Sequence, residues 1–141
     1  MRYAIGYLAT ALVFGLLDFV WLTRVGPGLY RPILGDLLAP QPRAAPAAIF
    51  YFLYVLAMMI FAVGPALNGG GWRAALLWGV LLGFFAYATY DLTNHATLRV
   101  WSVKITLLDM AWGSFATGLG ALGGYWLTVF ATGLVTGTRT G

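Results

Sequence analysis

Four long apolar stretches constrain this chain more than anything else in it. They cover residues 3–22, 47–67, 72–92 and 105–135. Each is close to or above the ~20 residues that a helix needs to cross ~30 Å of hydrocarbon. A helix satisfies its own backbone groups where no water is at hand, so it is the economical form for such a stretch in lipid. Barrel strands would be about half as long and would alternate polar with apolar residues. These stretches do neither. Composition agrees: 61% of the 141 residues are hydrophobic and only 9% are charged. That is too much apolar surface for one soluble core and too little polarity for a disordered chain. The predicted fold class is all-α membrane, a single integral membrane domain over residues 1–141 built as a four-transmembrane-helix up-and-down bundle. The first stretch has the basic start of a signal peptide, but it is longer than a usual h-region and no small-x-small site follows Trp21 and Leu22. It reads as the first span.

The connections differ in kind. Asn68, Gly69, Gly70 and Gly71 spell a tight turn. Residues 23–45 carry Pro27, Pro32, Pro40 and Pro42, and Leu29, Ile33, Leu34, Leu37 and Leu38 within them suit either a short interfacial helix or a surface-lying loop. Residues 93–104 are too apolar to float free and are expected to prolong the third helix past the membrane face. Four crossings put both termini on one side. The loop face then carries Arg24, Arg31, Arg43, Arg99 and Lys104, and the terminal face carries Arg2, Arg73 and Arg139. The positive-inside rule places the loops in the cytoplasm and both termini outside it.

Several function classes fall away on counts alone. There is no cysteine, which removes disulfides, thiolate metal sites and cysteine nucleophiles. His95 is the one histidine, so zinc patterns needing two are excluded. The net charge of +4 comes from eight scattered Lys and Arg residues that form no nucleic-acid footprint; membrane lipids are the expected contacts. Small residues recur at helical spacing: Gly79 with Gly83, then Gly113, Thr117, Gly120 and Gly124. Such stripes let helices approach closely. They suit packing within the chain better than the alternative, a homo-oligomer or membrane-complex partner seated on Gly79, Gly83, Gly113, Gly120 and Gly124.

The acids carry the chemistry. Asp18 lies near the end of the first span, Asp91 near the end of the third and Asp109 near the start of the fourth. In an up-and-down bundle all three fall at one depth, near the loop face. A carboxylate at that depth faces the bundle interior or water, because insertion into lipid costs about 2.5–3.5 kcal/mol at the centre of a helix. Tyr87, Asp91 and His95 share one helical face, with Asn94 beside it. Trp21 neighbours Asp18, and Trp112 follows Asp109 by three. Each has a bland reading: Asp91 with His95 as a hydrogen-bonded pair, Asp109 at a helix N-terminus where the dipole favours it, and the Trp and Tyr residues, Tyr51 and Tyr54 included, as interfacial belt. Asp18 resists one, since the dipole at its end of the helix opposes negative charge. Asp91 with His95 could do acid–base work; oxygen and imidazole ligands could hold Fe, Mn or Zn, but the spacing is diagnostic of no metal, and no cofactor follows.

The strings YATYDLTNHATLRVW over 87–101, DMAWG over 109–113, DFVWL over 18–22 and FYFLY over 50–54 together resemble a family of small bacterial inner-membrane proteins, the domain of unknown function 2177 family. The resemblance runs roughly from Tyr3 to Trp126. It implies a four-helix membrane protein with Asp18, Trp21, Tyr90, Asp91, Asn94, Asp109, Trp112 and Gly113 as motif residues, and no named activity.

The expectation is an integral membrane protein with a polar Asp/Asn/His site near one face that binds a small or lipid-like ligand, with acid–base chemistry open to it. The candidate ligand-binding residues are Asp18, Trp21, Tyr87, Tyr90, Asp91, Asn94, His95, Asp109 and Trp112. A structural or assembly subunit of a larger membrane complex is the alternative, and an oligomeric transporter a third class. A ligand site requires a cavity reaching the acids from the loop face; structural glue requires the same residues fully paired, with no cavity.

Overall fold

A computed structural model describes residues 1–137, with side chains described through 133; Arg139, assigned above to the terminal face, lies outside the described residues. Every regular element among them is helical. The helices are α1 (Arg2–Val20), α2 (Gly26–Leu34), α3 (Ala44–Met58), α4 (Gly71–Thr97) and α5 (Val103–Gly137). Three apolar helical runs are long enough to cross a membrane: Arg2–Leu37, Ala44–Thr97 and Val103–Gly133. The sequence predicts four separate spans. The difference lies in the second run, which is 54 residues long and contains the predicted turn as a break: Asn68 (φ −90°, ψ 22°) and Gly69 (φ 113°) leave helical geometry, and Gly71 has φ 68°. The two positive φ values are open to glycine at little cost.

Besides the broken wide turn at Ala66–Gly70, two wide, π-helical turns interrupt the helices, at Trp21–Val25 and Met59–Val63. These two stand immediately before a Gly-Pro pair, Gly26-Pro27 and Gly64-Pro65. The cause is the same each time. Proline lacks the N–H of the regular ladder, and its ring crowds the carbonyl four residues back. The preceding glycine N–H reaches five residues back instead, Gly26 to Trp21 and Gly64 to Met59. At Gly64 a Cβ would stand 2.6 Å from the Met59 carbonyl oxygen, so the widened turn itself requires glycine. Through the first of these turns α1 runs directly into α2. Residues 23–45 therefore contain a helix rather than only a loop. The third predicted helix, α4, runs on past residue 92 as expected, but only to Thr97; residues 98–102 are not helical.

Antiparallel packing follows the small residues. A Cβ on Gly79 would meet Ala121 at 2.8 Å, one on Gly83 would overlap the Gly113 carbonyl and Thr117, and Tyr87 lies on Gly113. Each step of four along α4 matches a step of four back along α5, and the next pair in that register is Asp91 with Asp109. On the other side of α5, Gly120 faces Phe14 and Met58, and Gly124 faces Thr10. All five glycines of the predicted stripes thus pack against neighbours in the same chain. Phe14, Tyr54, Val55, Met58, Ala62 and Val63 fill the space between.

The surface is apolar and the interior partly polar. Leu8, Leu12, Leu16 and Phe19 form an exposed stripe on α1, and Phe85, Phe115 and Phe130 are exposed too, while Thr10, Asp18, Asp91, Asp109, Thr117 and Thr128 are buried. Such extensive exposed apolar surface suits lipid and not water. At one end Arg2 Nη2 and the Tyr3 hydroxyl reach Asn68 Oδ1 at 2.9 and 2.8 Å. At the other, Leu29, Trp101 and Ile105 form a second cluster with Trp21, Tyr30, Ile33 and Leu34 around it. This cluster folds α2 across the acidic end of the helices.

Gly64→Ala and Gly83→Ala force backbone or helix displacement and should each lower stability by about 1–3 kcal/mol. Gly15, with nothing within 4 Å of a built Cβ, should accept alanine without loss. Thermal unfolding in mild detergent reads all three.

Candidate functional site

The chain brings its acids together where α1, α4 and α5 meet beneath α2. Asp18 is 6% exposed, Asp109 3% and Asp91 0%. Burial of a carboxylate demands a partner, and tyrosines supply two of the three. The Tyr51 hydroxyl, from α3, donates to Asp18 Oδ2. The Tyr30 hydroxyl, from α2, donates to Asp109 Oδ1 and accepts from Trp21 Nε1 at 3.2 Å. Trp21 also stacks on Trp112, with ring centroids 4.6 Å apart and planes 9° apart. Asp91 lies against Asp109, yet neither of its oxygens makes a hydrogen bond of regular geometry, and Trp112 Nε1 is also buried without a partner.

Asp18 and Asp109 line one cavity of about 520 Å³. Its walls are aromatic: Trp21, Tyr30, Phe50, Tyr51, Tyr54, Tyr87 and Tyr90, completed by Leu22, Leu34, Leu38, Ala47 and Ala86. Leu22, Leu38, Phe50 and Tyr90 are exposed and mark its mouth. Among the described residues no Lys, Arg or His lines it. An apolar groove of about 510 Å³ between α1 and α3 shares Leu22 and Tyr51 with the cavity.

Of the residues proposed from sequence, Asp18, Trp21, Tyr87, Tyr90 and Asp109 line the cavity. Asp91 and Trp112 stand behind it, against Asp109 and Trp21. Asn94 and His95 do not line it. His95 is exposed, and its Nδ1 is 3.4 Å from the Thr106 hydroxyl, which also accepts from Trp101 Nε1. The hydrogen-bonded Asp91–His95 pair expected from their spacing is therefore not made. The dipole reading of Asp109 also fails, because it lies in the second turn of α5 and the effect fades within the first. Tyr51 and Tyr54 are corrected as well: they are not simply belt residues, since Tyr51 holds Asp18 and Tyr54 bonds Thr117 at 2.9 Å. Tyr30 carries no sequence signal of its role, because its segment suits a loop as well as a helix and its partner lies 79 residues away. Among the described residues no group of three or more acid and histidine side chains is arranged to hold a metal ion.

Residues 3–126 match the family model described as "Predicted membrane protein (DUF2177)". The chain belongs to that family. The match spans every cavity-lining residue of this family member, from Asp18 to Asp109. Neither a curated protein nor a solved structure matches the chain.

Tyr30→Phe removes the donor to Asp109 and the acceptor of Trp21 Nε1 at once, and Tyr51→Phe removes the donor to Asp18. Each substitution leaves a buried polar group unsatisfied and should cost about 1–3 kcal/mol. Thermal unfolding in detergent measures the loss. Tyr125→Phe, at a half-buried residue outside the cavity, is the matched control.

Proposed function

We propose that this protein is a four-crossing membrane bundle whose cavity binds a small or lipid-like ligand near one membrane face. In this reading the 54-residue run Ala44–Thr97 crosses twice, turning at the non-helical Asn68 and Gly69. The contact of Arg2 and Tyr3 with Asn68 supports a turn on the same side as the start of α1. The cavity end, with Arg24, Arg31, Arg43, Arg99 and Lys104 around it in sequence, faces the cytoplasm by the positive-inside rule, and the chain resides in a bacterial inner membrane with both termini outside the cytoplasm.

One observation carries the binding reading: a cavity of about 520 Å³ reaches two buried carboxylates through an aromatic wall. Ligand sites in proteins are concave, mostly apolar and furnished with a few convergent polar groups, within a volume range of about 300–1,000 Å³. A bundle held together only by its acids would have no reason to leave that volume open beside them. The groove that joins the cavity along α1 and α3 suits a lipid-like tail. Asp18, Trp21, Tyr87, Tyr90 and Asp109 are the proposed contacts, with Asp91, Asn94, His95 and Trp112 in supporting positions. The groups that could exchange a proton with a ligand are the Asp18 and Asp109 carboxyls and the tyrosine hydroxyls on them.

The absence of cysteine from the chain makes topology directly testable. Single variants Arg2→Cys and Gly69→Cys should react with an impermeant maleimide from one side of the membrane, and Arg43→Cys and Arg99→Cys from the other. Labelling of residue 69 together with residue 43 would rule out the four-crossing arrangement. Native mass spectrometry from mild detergent should show a retained non-protein mass that Ala47→Trp, which fills the cavity, removes. A bare mass for the parent protein even when it is extracted with native lipid removes the ground for a tightly held ligand.

A further inference from the structure

Resting on the binding reading above, we infer that the cavity selects a positively charged ligand: an organic ammonium group carried on an apolar body. The inference comes from what lines the cavity and what does not. Two carboxylates, Asp18 and Asp109, reach it, and a third, Asp91, stands directly behind Asp109. Among the described residues no Lys, Arg or His side chain lines it. Each lining carboxylate accepts a tyrosine hydroxyl, a contact that an ionised oxygen strengthens. Acidic groups are thus gathered at a depth where an unanswered charge is expensive, and among the described residues the cavity lining supplies them with hydrogen-bond donors but no cation.

The remaining wall suits the same ligand. The rings of Trp21, Phe50, Tyr54 and Tyr87, with those of Tyr30 and Tyr51, border the cavity. Aromatic faces attract ammonium groups through the ring quadrupole, most strongly where water is excluded, and they tolerate an apolar body equally well. An anionic ligand would meet two acids and no cation. A neutral polar ligand would offer the acids hydrogen bonds but no counter-charge. An ammonium group answers both the acids and the rings.

Two sources share this chemistry, a free amine and the head group of an aminophospholipid. Arg24, Arg31 and Arg43 are exposed on the segments whose Leu22, Tyr30 and Ala47 line the cavity, where a lipid phosphate could be received.

The test uses three probes of one shape: cyclohexylmethylammonium, cyclohexylmethanol and cyclohexanecarboxylate, titrated into the full-length protein in uncharged detergent. Trp21 in the wall gives a fluorescence readout, and calorimetry gives an independent one. The ammonium should bind roughly tenfold or more tightly than the alcohol, the size of a desolvated cation–π contact, and the carboxylate should not bind. Asp18→Asn and Asp109→Asn should each abolish that preference while leaving the alcohol's affinity in place, which also shows that the variants are folded. Equal binding of alcohol and ammonium, or any preference for the carboxylate, overturns the charge selectivity and leaves a ligand cavity standing. Binding of none of the three, with a correctly folded protein, overturns the cavity reading itself along with the inference. If the ammonium binds, displacement by nanodiscs containing phosphatidylethanolamine, but not by phosphatidylglycerol alone, assigns the aminophospholipid; equal retention in both assigns a free amine.

Discussion

Hydrocarbon offers no hydrogen bonds, and most of this chain's architecture answers to that constraint. Backbone groups are satisfied within helices, side chains of leucine and phenylalanine face outward, and the acids of α1 and α5 are met by phenolic hydroxyls delivered from α3 and α2. The tyrosine–carboxylate contacts are the pivot. They draw α2 over the end of the bundle and bind α3 to α1, and in doing so they frame the cavity. Asp91 departs from the rule: it is fully buried against Asp109, with no hydrogen bond of regular geometry. Buried polar groups without regular partners are few in native proteins, and Asp91 owes its place to the register that sets it beside Asp109.

The glycines carry the complementary half of the design. Helix association in lipid relies on close backbone contact rather than on expulsion of water. Gly79, Gly83 and Gly113 bring α4 onto α5, and Gly120 and Gly124 bring α5 onto α1. The same four-residue register that seats Tyr87 on Gly113 continues to Asp91 and Asp109, so close packing at one level sets the acid pair at the next. Proline sets two wide turns in the helices. Trp21 lies in the first of them, which positions its ring against Trp112 and its N–H against Tyr30.

Much of this was legible in the residue order. Apolar stretches of membrane length, the turn at Asn68–Gly71 and the common depth of Asp18, Asp91 and Asp109 follow from counting along helices, because helical periodicity and bilayer thickness are fixed lengths. The family was legible as well, in the strings around Asp91 and Asp109. What periodicity could not provide was pairing. His95 is one turn from Asp91 on the same helix, but the packing of α5 gives it Thr106 as a partner. Tyr51 lies 33 residues from Asp18, and Tyr30 lies 79 from Asp109. No local rule connects residues so far apart.

Sequence alone determined the class of solvent, the helical elements and the level at which the acids collect, since each depends on short-range geometry and on the price of charge in lipid. Tertiary structure decided which tyrosines hold those acids, that α2 closes over them, and that a cavity walled by aromatic rings remains beside them. The reason is physical: hydrogen-bond partners and empty volume arise from the relative placement of distant helices, and that placement is set by how glycines, prolines and rings fit together in three dimensions.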